Sequence, residues 1–171
     1  MNKLTDKDKT GLIAKKSNAP LGDAHELFVK AILMRLGFEV GSVDLSSGPY
    51  DIFVTAFIDF KKNQTKVLKV QVKTISGNLS LSAGSRGGID RKYKSSVKEY
   101  SYTEKDTDLI IGVDTETLDL YFLPGRCFDI FGKSISKTKI KICKNNWDIL
   151  LNWNDKYLNS FKKNLLAKNS K

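Results

Sequence analysis

The chain has 171 residues, 40% of them hydrophobic, which suits one folded unit with a buried core and leaves too little for two domains. Its formal net charge of +10 points to a polyanionic partner, nucleic acid first, because each Lys or Arg set against a phosphate releases counterions and adds affinity. No long apolar run and no basic amphipathic helix with a strongly apolar face supports a membrane partner. A single histidine, His25, and two cysteines without CxxC spacing, Cys127 and Cys143, support neither a zinc site, a Ser-His-Asp triad nor a disulfide framework.

Met1 to Lys9 shows no apolar signal-like stretch and no small-residue cleavage site, so a reduced cytoplasmic setting is expected. The segment Leu21 to Gly37 predicts an amphipathic helix: Ala24, Leu27, Phe28, Ala31 and Leu36 recur at helical spacing, Asp23 lies near its start, and Gly37 supplies a stop. Glu26 on this helix is either a solvated partner of Lys30 or a group aimed at a site. A strand is expected over Phe38 to Val43.

Two further apolar runs each deliver polar groups. Gly48-Pro49-Tyr50-Asp51-Ile52-Phe53-Val54 places Asp51 at the opening of a strand, and Lys69-Val70-Gln71-Val72-Lys73-Thr74 carries Gln71 and Lys73 on one face with Val70, Val72 and Thr74 on the other. The gap between the runs suits a hairpin. Pairing them would gather a carboxylate, an amide oxygen and an ammonium around one point, a set that suits hydrated Mg2+. The same alternation also describes an ordinary antiparallel strand with polar residues toward solvent.

The stretch Ser76 to Lys98 mixes Gly77, Gly84, Gly87 and Gly88 with serines and then carries Arg86, Arg91, Lys92, Lys94 and Lys98. It is either a solvated loop or a basic loop reaching into a groove from the strand before it, with an arginine reading guanine edges and the lysines holding phosphates. Beyond it, Tyr102 to Val113 predicts an acidic turn leading into a buried strand, followed by a hairpin and a strand from Asp119 to Pro124. Cys127 to Phe131 suits a short helix with Cys127 as core filler, and Thr138 to Cys143 alternates as an edge strand guarded by lysines. Trp147, Ile149, Leu150, Leu151 and Trp153 form an apolar cluster, and Tyr157, Leu158, Phe161, Leu165 and Leu166 a helical stripe. Core or subunit interface is the expectation for these aromatics, with base stacking the alternative.

Taken in order, a helix with Glu26, a strand, a strand opening at Asp51 and a strand with Gln71 and Lys73, the chain resembles the PD-(D/E)xK nuclease superfamily. Within it, the resemblance is to the bacterial group I intron homing endonuclease branch, where a Pro-Tyr-Asp element and a Val-Gln-Val-Lys-Thr element are typical, here Pro49 to Asp51 and Val70 to Thr74. The Tyr-Thr plus acidic turn at Tyr102 fits the same branch, so the likeness spans about residues 20–125. Gln71 departs from the acidic residue in the superfamily's name and removes one negative charge from the metal site, yet it matches the branch.

The resemblance implies an α/β fold, a restriction-endonuclease-like central mixed β-sheet flanked by α-helices. One nuclease domain over 1–171 is expected, its core at about 20–125 and a C-terminal extension at 126–171 for interface or DNA contacts. It implies a Mg2+-dependent, site-specific endonuclease of double-stranded DNA, with Mn2+ as substitute, leaving 5'-phosphate and 3'-hydroxyl ends. The catalytic group would be Glu26, Asp51, Gln71 and Lys73; Asp51, Gln71, the Val72 carbonyl and Glu26 would hold the metal, and Lys73 would position the attacking water. Arg86, Arg91, Lys92, Lys94 and Lys98 would contact DNA. Cutting both strands needs two copies, hence a homo-oligomer, dimer or tetramer. A Holliday junction resolvase, a restriction endonuclease and a noncatalytic DNA-binding module are the competing readings.

Overall fold

The computed structural model describes residues 19–43, 48–84 and 99–169. It begins with helix α1 (Ala19–Arg35), which ends where expected. Gly37 adopts a φ of 90°, its N–H bonds the Met34 carbonyl, and the Phe38 N–H reaches back to Leu33 at 3.0 Å. This pair of bonds satisfies the helix's last carbonyls, and only glycine takes the left-handed turn without a Cβ penalty. Because Phe38 serves the helix stop, the first strand is shorter than the expected Phe38 to Val43: β1 spans only Val40–Ser42.

The buried face of α1 differs from the one expected. His25, Val29 and Leu33 are buried, with Phe28 and Ile32 half-buried beside them, whereas Ala24, Leu27, Ala31 and Leu36 are exposed. The helix carries apolar residues on every side, so periodicity leaves its orientation undecided and docking on the sheet selects the face.

β2 (Ile52–Asp59) and β3 (Gln64–Ile75) form the expected antiparallel hairpin, in register Ile52 with Val70 and Val54 with Leu68. β3 then pairs in parallel with β7 (Leu109–Asp114), Gln71 opposite Ile110 and Lys73 opposite Gly112. β7 turns back into β8 (Leu120–Pro124), giving a five-stranded mixed sheet of order β1-β2-β3-β7-β8. Every residue of β7 and β8 is buried, as befits strands covered on both faces. Mixed sheet and flanking helices agree with the expected α/β class.

Alternation along β3 divides the sheet into two sides. Val70, Val72 and Thr74 face α1, where the His25 imidazole meets the Thr74 hydroxyl at 2.8 Å. Gln71, Lys73 and Ile75 face the other side, which is covered by a ribbon of β4 (Asn78–Ser80) and β9 (Ser134–Ser136). Gly112 permits that cover, since a Cβ there would lie 2.3 Å from the Ile75 side chain and 3.1 Å from Leu79. A second ribbon, β5 (Ser82–Gly84) with β6 (Glu99–Ser101), delivers Tyr102, whose N–H bonds the Leu81 carbonyl at 2.9 Å.

The expected edge strand over Thr138 to Cys143 is absent. That segment is a turn leading into a 3-10 helix, Lys141–Cys143. Ile140 and Cys143, three residues apart, are both fully buried, and three residues per turn is the repeat that puts them on one side. The expected helix near Cys127 is a 3-10 helix, Gly125–Ile130, and burial pushes the Cys127 thiol up to about 12, as suits a core residue. α2 (Asp148–Leu151) and α3 (Asp155–Asn169) close the chain; Ile149, Leu150, Trp153, Leu158, Phe161 and Leu165 join the core, while Leu166 is exposed. Trp147 meets Phe122 edge-on at 4.9 Å, which places it with the core reading. Among the described residues, no helix is long and apolar enough to cross a membrane.

Candidate active site

The site forms where β2 begins and β3 leaves it for β7. Asp51 precedes β2, yet its backbone continues the ladder on both sides: its N–H bonds the Val70 carbonyl at 2.9 Å and its carbonyl accepts from Val43 at 3.0 Å. Its side chain then takes over as acceptor for the next β3 amide, Oδ2 receiving the Val72 N–H at 2.7 Å. The carboxylate thus satisfies a strand N–H that the backbone of β2 no longer reaches.

Gln71 is buried despite its polarity, and all of its polar atoms have partners. Its Nε2 donates to Asp51 Oδ2 and, at 3.2 Å, to the Val72 carbonyl, while its Oε1 accepts from the Tyr102 hydroxyl at 3.1 Å. Lys73, two residues along the same face, sets its ammonium 5.0 Å from the centroid of the Tyr102 ring. Asp51, Gln71, Val72 and Lys73 therefore come together, with the Gln71 amide nitrogen in place of the expected oxygen facing Asp51.

Glu26 joins them electrostatically. Burial raises its pKa, and the charges of Asp51 and Asp23 raise it further, against opposing pulls from Lys30 and Lys73. The exposed Lys30 ammonium donates to Ser42 Oγ at 3.0 Å, so its role extends beyond the helix pair. Asp51 is also raised, chiefly by burial, although the Val72 N–H, Lys73 and Gln71 favour its charged form. Both carboxyls are thus held above their usual range, burial outweighing the nearby lysine and hydrogen-bond donors. His25, next to Glu26, has its pKa lowered by burial and anchors this part of α1 to Thr74, the residue after Lys73.

Asp51, Glu26 and the Val72 carbonyl carry hard oxygens, the Gln71 amide would add one by turning its Oε1 from Tyr102, and the described residues hold no cluster of three or more His, Cys, Asp or Glu side chains. That set fits Mg2+, which takes one or two carboxylates and fills its shell with water and substrate phosphate, and it does not fit zinc. Arg86, Arg91, Lys92, Lys94 and Lys98 lie outside the described residues. Tyr102 is the residue that sequence reasoning left without a role. It follows the basic stretch and has no periodic signal to aim it, since its place depends on the β5–β6 ribbon.

No family model and no curated protein matches the chain. Among solved structures, it is similar to a bacterial homing endonuclease, I-Ssp6803I, with a TM-score of 0.59 over 76% of this chain and 90% of that one, at 18% identity. That likeness shows a shared fold.

Proposed function

We propose that this chain is a Mg2+-dependent endonuclease that hydrolyses double-stranded DNA at specific sites, in the manner of a homing endonuclease, with Mn2+ as substitute metal. The observation that supports this best is the convergence of Asp51, Gln71, Val72 and Lys73 on one strand junction, with the Glu26 carboxyl within range of the Asp51 charge. The shared fold with I-Ssp6803I and the net charge of +10 agree with DNA as substrate.

Asp51, Gln71, the Val72 carbonyl and Glu26 would hold the ion. Bound there, Mg2+ would supply Lewis-acid polarisation of the phosphate. Lys73 positions the attacking water and donates to a non-bridging phosphate oxygen, offsetting charge as the phosphorane forms. The water's oxygen forms the new P–O bond as its proton passes to solvent, the bond to the 3' oxygen breaks in line, and that oxygen takes a proton from solvent, leaving 5'-phosphate and 3'-hydroxyl ends. Arg86, Arg91, Lys92, Lys94 and Lys98 bind the duplex. One such site cuts one strand, so a double-strand break takes two copies of the chain, and a homo-oligomer is part of the proposal.

The test is cleavage of plasmid and linear duplex by the purified protein in Mg2+, with EDTA and Lys73→Ala as controls. The expected result is metal-dependent cutting by the wild type and none by the variant, with product ends that DNA ligase reseals. Binding without cutting would leave a DNA-binding module, and preference for a synthetic four-way junction would replace the site-specific reading with junction resolution.

A further inference from the structure

We infer that Tyr102 is a positioning residue of this site: its hydroxyl satisfies whichever end of the Gln71 amide is turned away from Asp51 and Val72, so that the amide can present its oxygen there, and its ring seats the Lys73 ammonium. The inference rests on the nuclease reading above. Tyr102 is 5% exposed and tied by its backbone to Leu81. It touches two of the site's groups by different parts, hydroxyl on Gln71 Oε1 at 3.1 Å and ring toward Lys73 Nζ at 5.0 Å.

A glutamine has two unlike ends. As folded, its Nε2 bonds Asp51 Oδ2 and the Val72 carbonyl, two acceptors that a cation would also seek. For Gln71 to offer oxygen to an ion held by those groups, the amide must turn over and present Nε2 to Tyr102. A hydroxyl donates or accepts with equal ease, so Tyr102 supports both orientations, and phenylalanine would support neither.

A glutamate at this position has two equivalent oxygens and no orientation to set. The discriminating experiment is therefore a double-mutant cycle read by Mn2+ binding to the DNA-free protein, using electron paramagnetic resonance on wild type, Tyr102→Phe, Gln71→Glu and the double variant, each checked by thermal melting. We expect Tyr102→Phe to weaken Mn2+ binding about 10-fold beside Gln71 and by less than about 2-fold beside Gln71→Glu. Equal losses in both backgrounds, or none in either, would make Tyr102 ordinary core and overturn the inference. Tyr102→Leu, which also removes the ring, should lower the cleavage rate at saturating Mg2+ further than Tyr102→Phe, and equal rates would remove the Lys73 part. Mn2+ binding by the wild type that is abolished by Asp51→Asn but indifferent to Tyr102 would sink this inference alone. Absence of both Mn2+ binding and cleavage in the wild type would sink the nuclease reading itself.

Discussion

Two carboxylate clusters on the same molecule are treated in opposite ways. At the end of β7, Asp114 Oδ1 accepts the Glu116 N–H at 2.9 Å and Oδ2 takes the Lys137 ammonium at 2.9 Å. Burial pushes this carboxyl up, but Lys137 and the turn amides outweigh it and hold it below its usual range. Asp119 is held down to about 2 by Lys144 and Thr117. These acids build the β7–β8 turn and its support, and the fold supplies every donor they need. Asp51 and Glu26 are instead both raised, by burial first and, for Glu26, by Asp51 next. The difference separates acids whose charge the fold stabilises from acids whose charge burial disfavours, although the residue types are the same.

The comparison breaks if the second cluster can be removed without chemical consequence, or if removing the first has one. The largest effect should be on cleavage: Lys73→Ala and Asp51→Asn should each slow it by about 10³-fold while most DNA affinity survives, because phosphate contacts elsewhere supply it. Single-turnover rates in Mg2+ with parallel binding titrations check this, and a near wild-type rate for either variant would end the catalytic assignment. Asp114→Ala should leave the site's chemistry alone and cost about 2 kcal/mol of stability by orphaning turn amides, measured by denaturant unfolding.

Gln71→Ala should lower activity by about 10-fold, whereas Gln71→Glu should retain or raise it by adding charge at the metal; equal, near wild-type activity for both would return Gln71 to a structural role. The smallest effect sharpens the contrast through pH. The Glu26 pKa is raised above its ordinary 4.5, so its protonated form is the one the fold prefers, and wild-type stability declines as pH rises through the raised value. Glu26→Gln should gain nothing below pH 4.5 and a few tenths of a kcal/mol above the raised value, after solvent screening. Asp114 runs the other way: its stabilisation is present above its ordinary 3.8 and fades as pH falls through the lowered value. Melting curves of the two variants should therefore diverge from wild type at the same, higher-pH end but with opposite sign, Glu26→Gln above wild type and Asp114→Ala below it.

The sequence by itself determined what depends on near neighbours. Alternation in Ile52–Asp59 and Gln64–Ile75 defined the hairpin, and a short tip forces Asp51 beside Gln71 and Lys73, so most of the site was legible before folding. Gly37 likewise announced the end of α1, because the left-handed turn is a local demand. Tertiary structure decided the rest. Val29 and Leu33 face inward in place of Ala24, Leu27, Ala31 and Leu36, since a helix that is apolar on all sides takes its orientation from the strand it meets. Ile140 and Cys143 are buried by a 3-10 turn that reads, in one dimension, as an alternating strand. Tyr102 reaches Gln71 across 31 positions of chain only because the β5–β6 ribbon returns it to β3. Such contacts follow from the packing of whole elements, and no local pattern of residues encodes them.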